Sequence, residues 1–192
     1  MISAKSILSS TTLAAIAACL LGASAWIARP CAAPLQDESP PGPVHARLMK
    51  LAGKYSTVTK FSGVGETPDT TGEATFTSIL GGRFLLEEGK GTMFGQPFET
   101  RKSYGYNAGS KRYEGQWMYT GSTAMMTLSG TSADDGKTIA FDASYEMSPG
   151  KKKELNITFT DLGADKFSIV LKAKPDADGQ GATLETTYTR KK

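Results

Sequence analysis

Few residues in this chain of 192 have side chains that commonly bind metals or act as catalytic bases. The only histidine is His45, and the two cysteines, Cys19 and Cys31, both lie near the N-terminus. Zinc and haem sites draw mainly on histidine or cysteine ligands, and a catalytic triad needs a histidine or an equivalent base. The sequence therefore predicts no metal, no haem, no other cofactor and no histidine-based catalytic site.

Two adjacent carboxylates, Glu87 and Glu88, are the strongest remaining candidates for acid–base chemistry. Consecutive residues of a strand point to opposite faces, so at most one of the two can reach an interior and they cannot act as a pair. No spacing in the sequence couples Glu87 to a second carboxylate. We therefore interpret both residues as part of a solvated strand face.

Arg83 stands at the start of a predicted strand, between Gly82 and Phe84. A guanidinium group at one end of a barrel can cap backbone carbonyls or stack on an aromatic ring, and it can also bind an anion. The position favours the structural role, and Arg83 is kept among the candidate ligand-binding residues.

Aromatic and methionine side chains give the main indication of a binding site. Apolar walls with a few hydroxyl or indole donors are typical of cavities that hold small molecules, and methionine adapts to varied apolar shapes. The same side chains can instead fill the interior completely, as in many small barrels. Together with Arg83, the predicted ligand-binding residues are Tyr106, Tyr113, Trp117, Met125 and Tyr145.

The elements that must position these residues are predicted to be short strands. From Tyr55 onward, apolar and aromatic residues often recur at every second position, in runs separated by glycine or aspartate clusters. The short connections indicate that neighbours in sequence are neighbours in the sheet. For the strand after Arg83 the sequence does not determine which face is buried, because Phe84 and Leu86 would point to one face and Leu85 to the other.

One short amphipathic helix is predicted ahead of the strands. Val44, Leu48 and Leu51 share one face, and Gly53 can end the helix. Many strands with one apolar face must close on themselves or pack on a second sheet, and closure also removes exposed edges. We therefore predict an all-β fold, an antiparallel up-and-down, lipocalin-like barrel of about ten strands with one short N-terminal helix. A two-sheet sandwich is the alternative.

Residues 1–25 have the pattern of an export signal. Lys5 precedes an uncharged run rich in Leu, Ile and Ala that contains the small-residue tripeptide Ala23-Ser24-Ala25, where signal peptidase can cut. The lipobox-like Ile16-Ala17-Ala18-Cys19 offers lipidation of Cys19 as a second alternative, and a retained membrane anchor is the third. We predict a periplasmic or secreted protein that meets a membrane only if Cys19 is lipidated or the signal is retained.

The chain is predicted to have three segments. They are a signal peptide over 1–25, a flexible proline-rich leader over 26–43 and a single β-barrel domain over 44–192. The domain is long enough to bury a core without disulfides. The formal net charge of +3 is small and the charges are mixed in sign, so we predict no nucleic-acid partner. The basic run 151–153 is interpreted as a solvated hairpin tip rather than a phosphate or membrane site.

Several blocks from His45 to the C-terminus follow one another in a recognisable order. They are Leu80–Glu88, Gly95–Glu99, Gly105–Asn107, Lys111–Tyr113, Trp117 and Tyr188–Lys191. In these blocks the chain resembles the bacterial family of unknown function DUF1579, except that Tyr55 stands where tryptophan is usual. The resemblance implies a lipocalin-like, calycin-type barrel that encloses an apolar cavity behind a short helix. It implies no known activity.

The predicted function is binding of a small apolar or amphiphilic molecule in a barrel cavity in the cell envelope. This prediction depends on architecture, and a fold by itself does not define a function. The first alternative is an envelope interaction or assembly module with a filled barrel. The second is an enzyme that needs no histidine or cysteine and uses a lumen Glu, Tyr or Arg. The sequence predicts no oligomeric state.

Overall fold

The structure is a computed structural model, and it describes residues 40–63, 65, 67–163, 165–174 and 181–192. The predicted signal peptide, which contains Cys19, and most of the predicted leader lie outside the described residues. Within the described residues the chain forms one α-helix, one 3₁₀ turn and ten strands. They are α1 Pro43–Met49, β1 Gly53–Ser62, β2 Thr70–Ile79, the 3₁₀ turn Leu80–Gly82, β3 Phe84–Met93, β4 Gln96–Asn107, β5 Arg112–Tyr119, β6 Met126–Thr131, β7 Thr138–Ser148, β8 Lys151–Gly163, β9 Lys166–Ala173 and β10 Thr183–Arg190.

The strands close into a single antiparallel barrel in which each strand pairs with its neighbours in sequence. The barrel closes where β1 pairs with β10, with Tyr55 opposite Arg190 and Ser62 opposite Thr183. Every strand therefore has a partner on both sides, which removes the exposed edges of an open sheet. This topology confirms the predicted all-β, up-and-down barrel, and the sandwich alternative is wrong.

Helix α1 packs against one end of the barrel, beside β3 and β4. It begins at Pro43, a position where the missing proline N–H costs nothing. The backbone N–H of Gly42 donates to Nδ1 of His45 at 3.1 Å, so the single histidine helps to cap the helix. Leu48 is buried on the barrel side. The predicted short helix is confirmed. In the described ranges, no helix is long and apolar enough to cross a membrane.

The half of the barrel next to α1 is filled by four rings that we call the aromatic plug: Tyr55, Phe76, Phe167 and Tyr188. Phe167 and Tyr188 stack with ring centroids 4.5 Å apart, and Tyr55 meets Phe167 edge-on at 5.2 Å. The Tyr55 hydroxyl donates to the carbonyl of Leu51 at 2.8 Å, which satisfies its polar end. The space left among the buried side chains here is about 20 Å³, room for roughly one water molecule. A further space of about 100 Å³ lies beside α1, lined by residues of α1, β5, β7 and β8. The interior beneath α1 is therefore closely packed, and the larger space at this end lies next to the helix.

Arg190 fastens the end of β10 to the segment that follows α1. Its guanidinium donates to the carbonyls of Ala52 at 2.7 Å and Lys50 at 2.8 Å, and it lies 4.9 Å from the ring centroid of Tyr55. Gly53 makes this approach possible, because a Cβ there would lie 2.1 Å from the nearest guanidinium nitrogen. Its φ of 150° is also one that other residues rarely adopt. Arg190 therefore makes end-capping contacts of the kind that the sequence suggested for Arg83.

The register of β3 answers the question of parity that the sequence left open. Leu85 is almost completely buried, whereas Phe84 is 41 % exposed on the outer face. Because side chains alternate along a strand, Glu87 must point the same way as Leu85, into the barrel. The residues of β3 that face the lumen therefore include a carboxylate, that of Glu87.

Two alanine substitutions test this register. Leu85→Ala should lower the free energy of unfolding by about 2–5 kcal/mol, because it removes a side chain from a packed interior. Phe84→Ala, at the adjacent outer position, should cost about 1 kcal/mol or less. Urea denaturation followed by circular dichroism measures both values. A larger loss for Phe84→Ala than for Leu85→Ala would contradict the register.

Candidate functional site

The half of the barrel away from α1 contains a cavity of about 100 Å³. Some inward positions of β2 and β3 that border it are glycines, among them Gly72 and Gly91, which lie opposite each other across the two strands. A Cβ on Gly72 would lie 2.6 Å from the carbonyl oxygen of Lys90, so a side chain there would collide with backbone. Glycine at these positions allows the strands to approach closely and leaves the lumen open beside them.

The cavity wall combines apolar side chains with hydroxyl groups. The apolar members that face the lumen are Phe98, Leu128, Ile157, Ile169, Leu171 and Leu184. The hydroxyl members include Thr57, Thr59, Thr70, Thr100 and Thr186. A wall of this composition suits a molecule that has both an apolar and a polar part.

A buried ion pair lies at the inner end of the cavity. Glu87 on β3 and Lys102 on β4 are directly opposite each other, and Nζ of Lys102 lies 2.8 Å from Oε1 of Glu87. Glu87 is 1 % exposed and Lys102 is 8 % exposed. Two charges this deep in a protein are costly unless they are paired and hydrogen-bonded. The surroundings of the pair supply those hydrogen bonds.

Two tyrosines complete the group that we call the cavity floor: Glu87, Lys102, Tyr104 and Tyr188. The Tyr188 hydroxyl donates to Oε1 of Glu87 at 2.8 Å, and the Tyr104 hydroxyl donates to Oε2 at 2.9 Å. Lys102 also donates to the Tyr188 oxygen at 3.3 Å. The Glu87 carboxylate thus accepts three hydrogen bonds, two of them from neutral donors. No buried side-chain nitrogen or oxygen in the described part of the chain lacks a partner.

Burial raises the pKa of the Tyr188 hydroxyl well above its usual value, and the negative charge of Glu87 raises it further. The pKa of Tyr104 is raised well above its usual value for the same two reasons, with burial again the larger. Tyr104 is half-buried as a whole residue, but its hydroxyl points at Glu87 in the interior. Both tyrosines therefore remain neutral donors to Glu87 well into the alkaline range.

The outer face of the same two strands carries a second ion pair, one residue along. Glu88 and Arg101 are opposite each other and form a salt bridge in which both side chains are about half exposed. The sequence interpretation of a solvated strand face is therefore right for Glu88 and wrong for Glu87. Its error has a physical cause: the position of Leu85 sends Glu87 inward, where Lys102 supplies the opposite charge.

Trp117 is the predicted ligand-binding residue that the structure places at the cavity. Its indole N–H donates to the hydroxyl of Thr100 at 2.6 Å, which is a satisfied contact within the wall. Nζ of Lys102 lies 5.0 Å from the centroid of its ring. The ring face therefore stands beside the ammonium group, in the geometry of a cation–π contact.

The other five predicted ligand-binding residues do not border this cavity. Arg83 lies half-buried after the 3₁₀ turn, and Tyr106 packs edge-on against His45 of α1. Tyr113 is buried under the helix end of the barrel, beside Tyr106. The last two belong to the opposite end, where Tyr145 on β7 is half-buried and Met125 between β5 and β6 is 48 % exposed.

Sequence reasoning did not identify Lys102 and Tyr104 as part of a site. A signal for both was present on β4, where Phe98, Thr100, Lys102, Tyr104 and Tyr106 share one face. A lysine in the middle of an aromatic face is unusual, because lysine is rarely buried without a partner. That signal predicts a buried carboxylate nearby, and β3 supplies Glu87.

Hydrogen bonding is the chemistry that the cavity floor offers. Within the described residues, no three or more His, Cys, Asp or Glu side chains are placed to hold a metal ion. The imidazole of His45 is engaged at the helix start, and the carboxylate of Glu87 accepts three hydrogen bonds. A ligand would meet Lys102, threonine hydroxyls and the face of Trp117.

The fold and the site define the class of the protein as a lipocalin-like antiparallel barrel with a partly open lumen. The chain belongs to the family described as Protein of unknown function (DUF1579), whose profile matches residues 40–190. This confirms the resemblance drawn from the sequence blocks.

One solved structure supports the barrel fold. The crystal structure of Rv2717c from M. tuberculosis is similar with a TM-score of 0.58 and 16 % identity, over 79 % of this chain and 99 % of that chain. A redesigned β-barrel has a TM-score of 0.42 and 14 % identity, over 80 % of this chain and all of its own. No curated protein matches this chain in sequence.

The inner and outer ion pairs allow a matched test of burial. Lys102→Met should lower the free energy of unfolding by about 3–5 kcal/mol, because it leaves the Glu87 carboxylate buried without a counter-charge. Arg101→Met, one residue earlier on the same strand, should cost about 1 kcal/mol or less. Urea denaturation at pH 7 measures both. Equal losses in the two variants would contradict the burial of the inner pair.

The raised tyrosine pKa values predict a loss of stability in alkali. A group whose pKa is higher in the folded than in the unfolded protein stabilises the fold fully below its unfolded pKa of about 10 and progressively less above it. Ionisation of Tyr104 and of Tyr188 in the unfolded chain should therefore each lower the free energy of unfolding by about 1.4 kcal/mol per pH unit above pH ~10. Urea denaturation between roughly pH 8 and pH 11 measures this loss, because this range brackets the tyrosine pKa of the unfolded chain, about 10. Tyr104→Phe should be less stable than wild type at the lower pH but lose less on alkalinisation, and an equal loss in both proteins would refute the assignment.

Proposed function

We propose that the protein binds a small amphiphilic molecule in the cavity of its barrel. The observation that carries this proposal is the combination of an apolar and hydroxyl wall with a charged, hydrogen-bonded floor at its inner end. A barrel that only needed a stable core would gain more from filling this space with apolar side chains, as it does beneath α1. The retained cavity and its polar floor support a binding role.

The size of the cavity limits what it can hold. Its volume of about 100 Å³ is smaller than the roughly 300–1,000 Å³ of typical pockets for drug-sized ligands. It suits the head group and first few carbons of an amphiphile, whose remaining chain would extend toward the end of the barrel away from α1. Phe98 and Leu184 lie along that path and offer apolar contact.

The state of Glu87 favours binding over catalysis. A general base must be able to accept a proton from a substrate within hydrogen-bond reach. The Glu87 carboxylate already accepts bonds from Lys102, Tyr104 and Tyr188. Using it as a base would require at least one of these bonds to break. The alternative of an assembly module rested on a filled lumen, and the cavity favours the binding role over that alternative as well.

We also propose that the protein is exported and works in the cell envelope. The support comes from the sequence of residues 1–25, which lie outside the described part of the chain. The intact mass of the protein isolated from its producing cells tests this proposal. A mass corresponding to cleavage after Ala25 or to lipidated Cys19 would support export, and an unprocessed chain in the cytoplasm would refute it.

A cavity-filling substitution tests the binding proposal. Thr57 faces the cavity from β1, so Thr57→Phe should place a ring in the space that the ligand needs. We expect octan-1-ol to bind saturably to the wild-type protein in isothermal titration calorimetry, and at least about tenfold more weakly to Thr57→Phe. Val58→Phe is the matched control, because the adjacent residue faces outward and is 40 % exposed.

The control separates loss of the cavity from general damage to β1. Val58→Phe should bind octan-1-ol as the wild type does, and urea denaturation should show that both variants are folded. Absence of saturable binding to the wild type by alcohols of several chain lengths would refute the proposal. Equal binding by Thr57→Phe and wild type would show that the ligand occupies another place.

A further inference from the structure

We propose that the cavity floor selects amphiphiles with an uncharged, hydrogen-bond-accepting head group, such as an alcohol or a ketone, and discriminates against carboxylates. This inference depends on the proposed function and adds the chemical class of the ligand. It is drawn from the charge balance and the hydrogen-bond count of the floor.

The charges inside the lumen balance one another. Four charged residues border the cavity, and two of them, Glu73 and Lys90, are exposed residues that pair with each other on the outside of the barrel. The charged side chains inside, as far as the structure describes the chain, are those of Glu87 and Lys102. Their charges cancel. A carboxylate brought into the cavity would therefore add a buried negative charge without an unpaired positive charge to meet it.

Lys102 has a donor hydrogen that no protein acceptor takes up in the described part of the chain. An ammonium group carries three hydrogens. Among the described residues, Lys102 donates to Glu87 at 2.8 Å and to Tyr188 at 3.3 Å. One hydrogen is left for an acceptor atom of a ligand. Both residues of the pair line the cavity, and the side chain of Lys102 is the more exposed of the two, at 10 % against 1 % for Glu87.

Two donors of the cavity wall, Trp117 and Thr100, are already engaged. The indole N–H of Trp117 donates to Thr100, and the Thr100 hydroxyl in turn donates to the carbonyl of Met118 at 3.2 Å. Glu87 is occupied by three donors and would repel an anion placed beside Lys102. A single neutral acceptor matches what the floor has to offer, since it takes one hydrogen and adds no charge.

A series of ligands with one chain length tests this inference on the wild-type protein. Octan-1-ol, octan-2-one and octanoate are titrated at about pH 8, where the free carboxylate is ionised. We expect the alcohol and the ketone to bind at least about tenfold more tightly than octanoate. Octanoate binding as tightly as the alcohol would overturn the inference and leave the proposed function intact. Failure of all three to bind would overturn both.

Glu87→Gln tests the physical reason for the selectivity. Glutamine keeps the shape of the side chain and removes its charge, so that a bound carboxylate could then neutralise Lys102. We expect the affinity for octanoate relative to octan-1-ol to rise at least about tenfold in this variant. Glu88→Gln is the matched control on the outer face and should leave the ratio unchanged.

An unchanged ratio in folded Glu87→Gln would overturn the charge-balance argument. Circular dichroism establishes whether the variant is folded. If it does not fold, the wild-type ligand series decides the inference alone, because that series requires no substitution.

Discussion

The ion pair between Glu87 and Lys102 is the interaction on which the interior of this barrel depends. Both groups are buried, so each requires the other and each requires hydrogen bonds. The pair also constrains the pairing of β3 with β4. A shift of one residue would turn Glu87 to the outside and bring Glu88 into the lumen, because side chains alternate along both strands. The outer pair of Glu88 with Arg101 fits the same register, so both ion pairs are consistent with one alignment of β3 and β4.

The cavity floor lies where the two halves of the barrel meet. Tyr188 belongs to both, since its ring stacks on Phe167 in the aromatic plug and its hydroxyl donates to Glu87. The rings of the plug hold this hydroxyl in place, and a packed environment allows little movement. On the other side of the floor, glycines and threonines leave open space. The position of Tyr188 thus links a rigid core to a group of polar atoms that face a cavity.

The sequence predicted the barrel because its signals are local. Two-residue alternation and tight turns specify a meander, and the pattern around Leu48 specifies the helix.

The cavity floor could not be predicted in the same way. Its members come from β3, β4 and β10, and their contact depends on the register and closure of the whole sheet. For β3 the apolar pattern favoured neither face, since Phe84 and Leu85 compete, and the inward position of Glu87 followed from that choice. The pattern of a single strand also could not predict whether the lumen is filled, because filling depends on the summed side-chain volumes of all the strands.

The interior of this barrel is closely packed beneath the helix and holds a cavity in the other half, with a neutral pair of charges between them. Native mass spectrometry of the protein purified from the cells that produce it, with masses compared before and after denaturation, tests whether this cavity holds a ligand. We expect a small uncharged molecule that stays bound in the native spectrum and is released on unfolding. A native protein that carries no small molecule, and that takes up none when exposed to a lipid extract of the same cells, would contradict it.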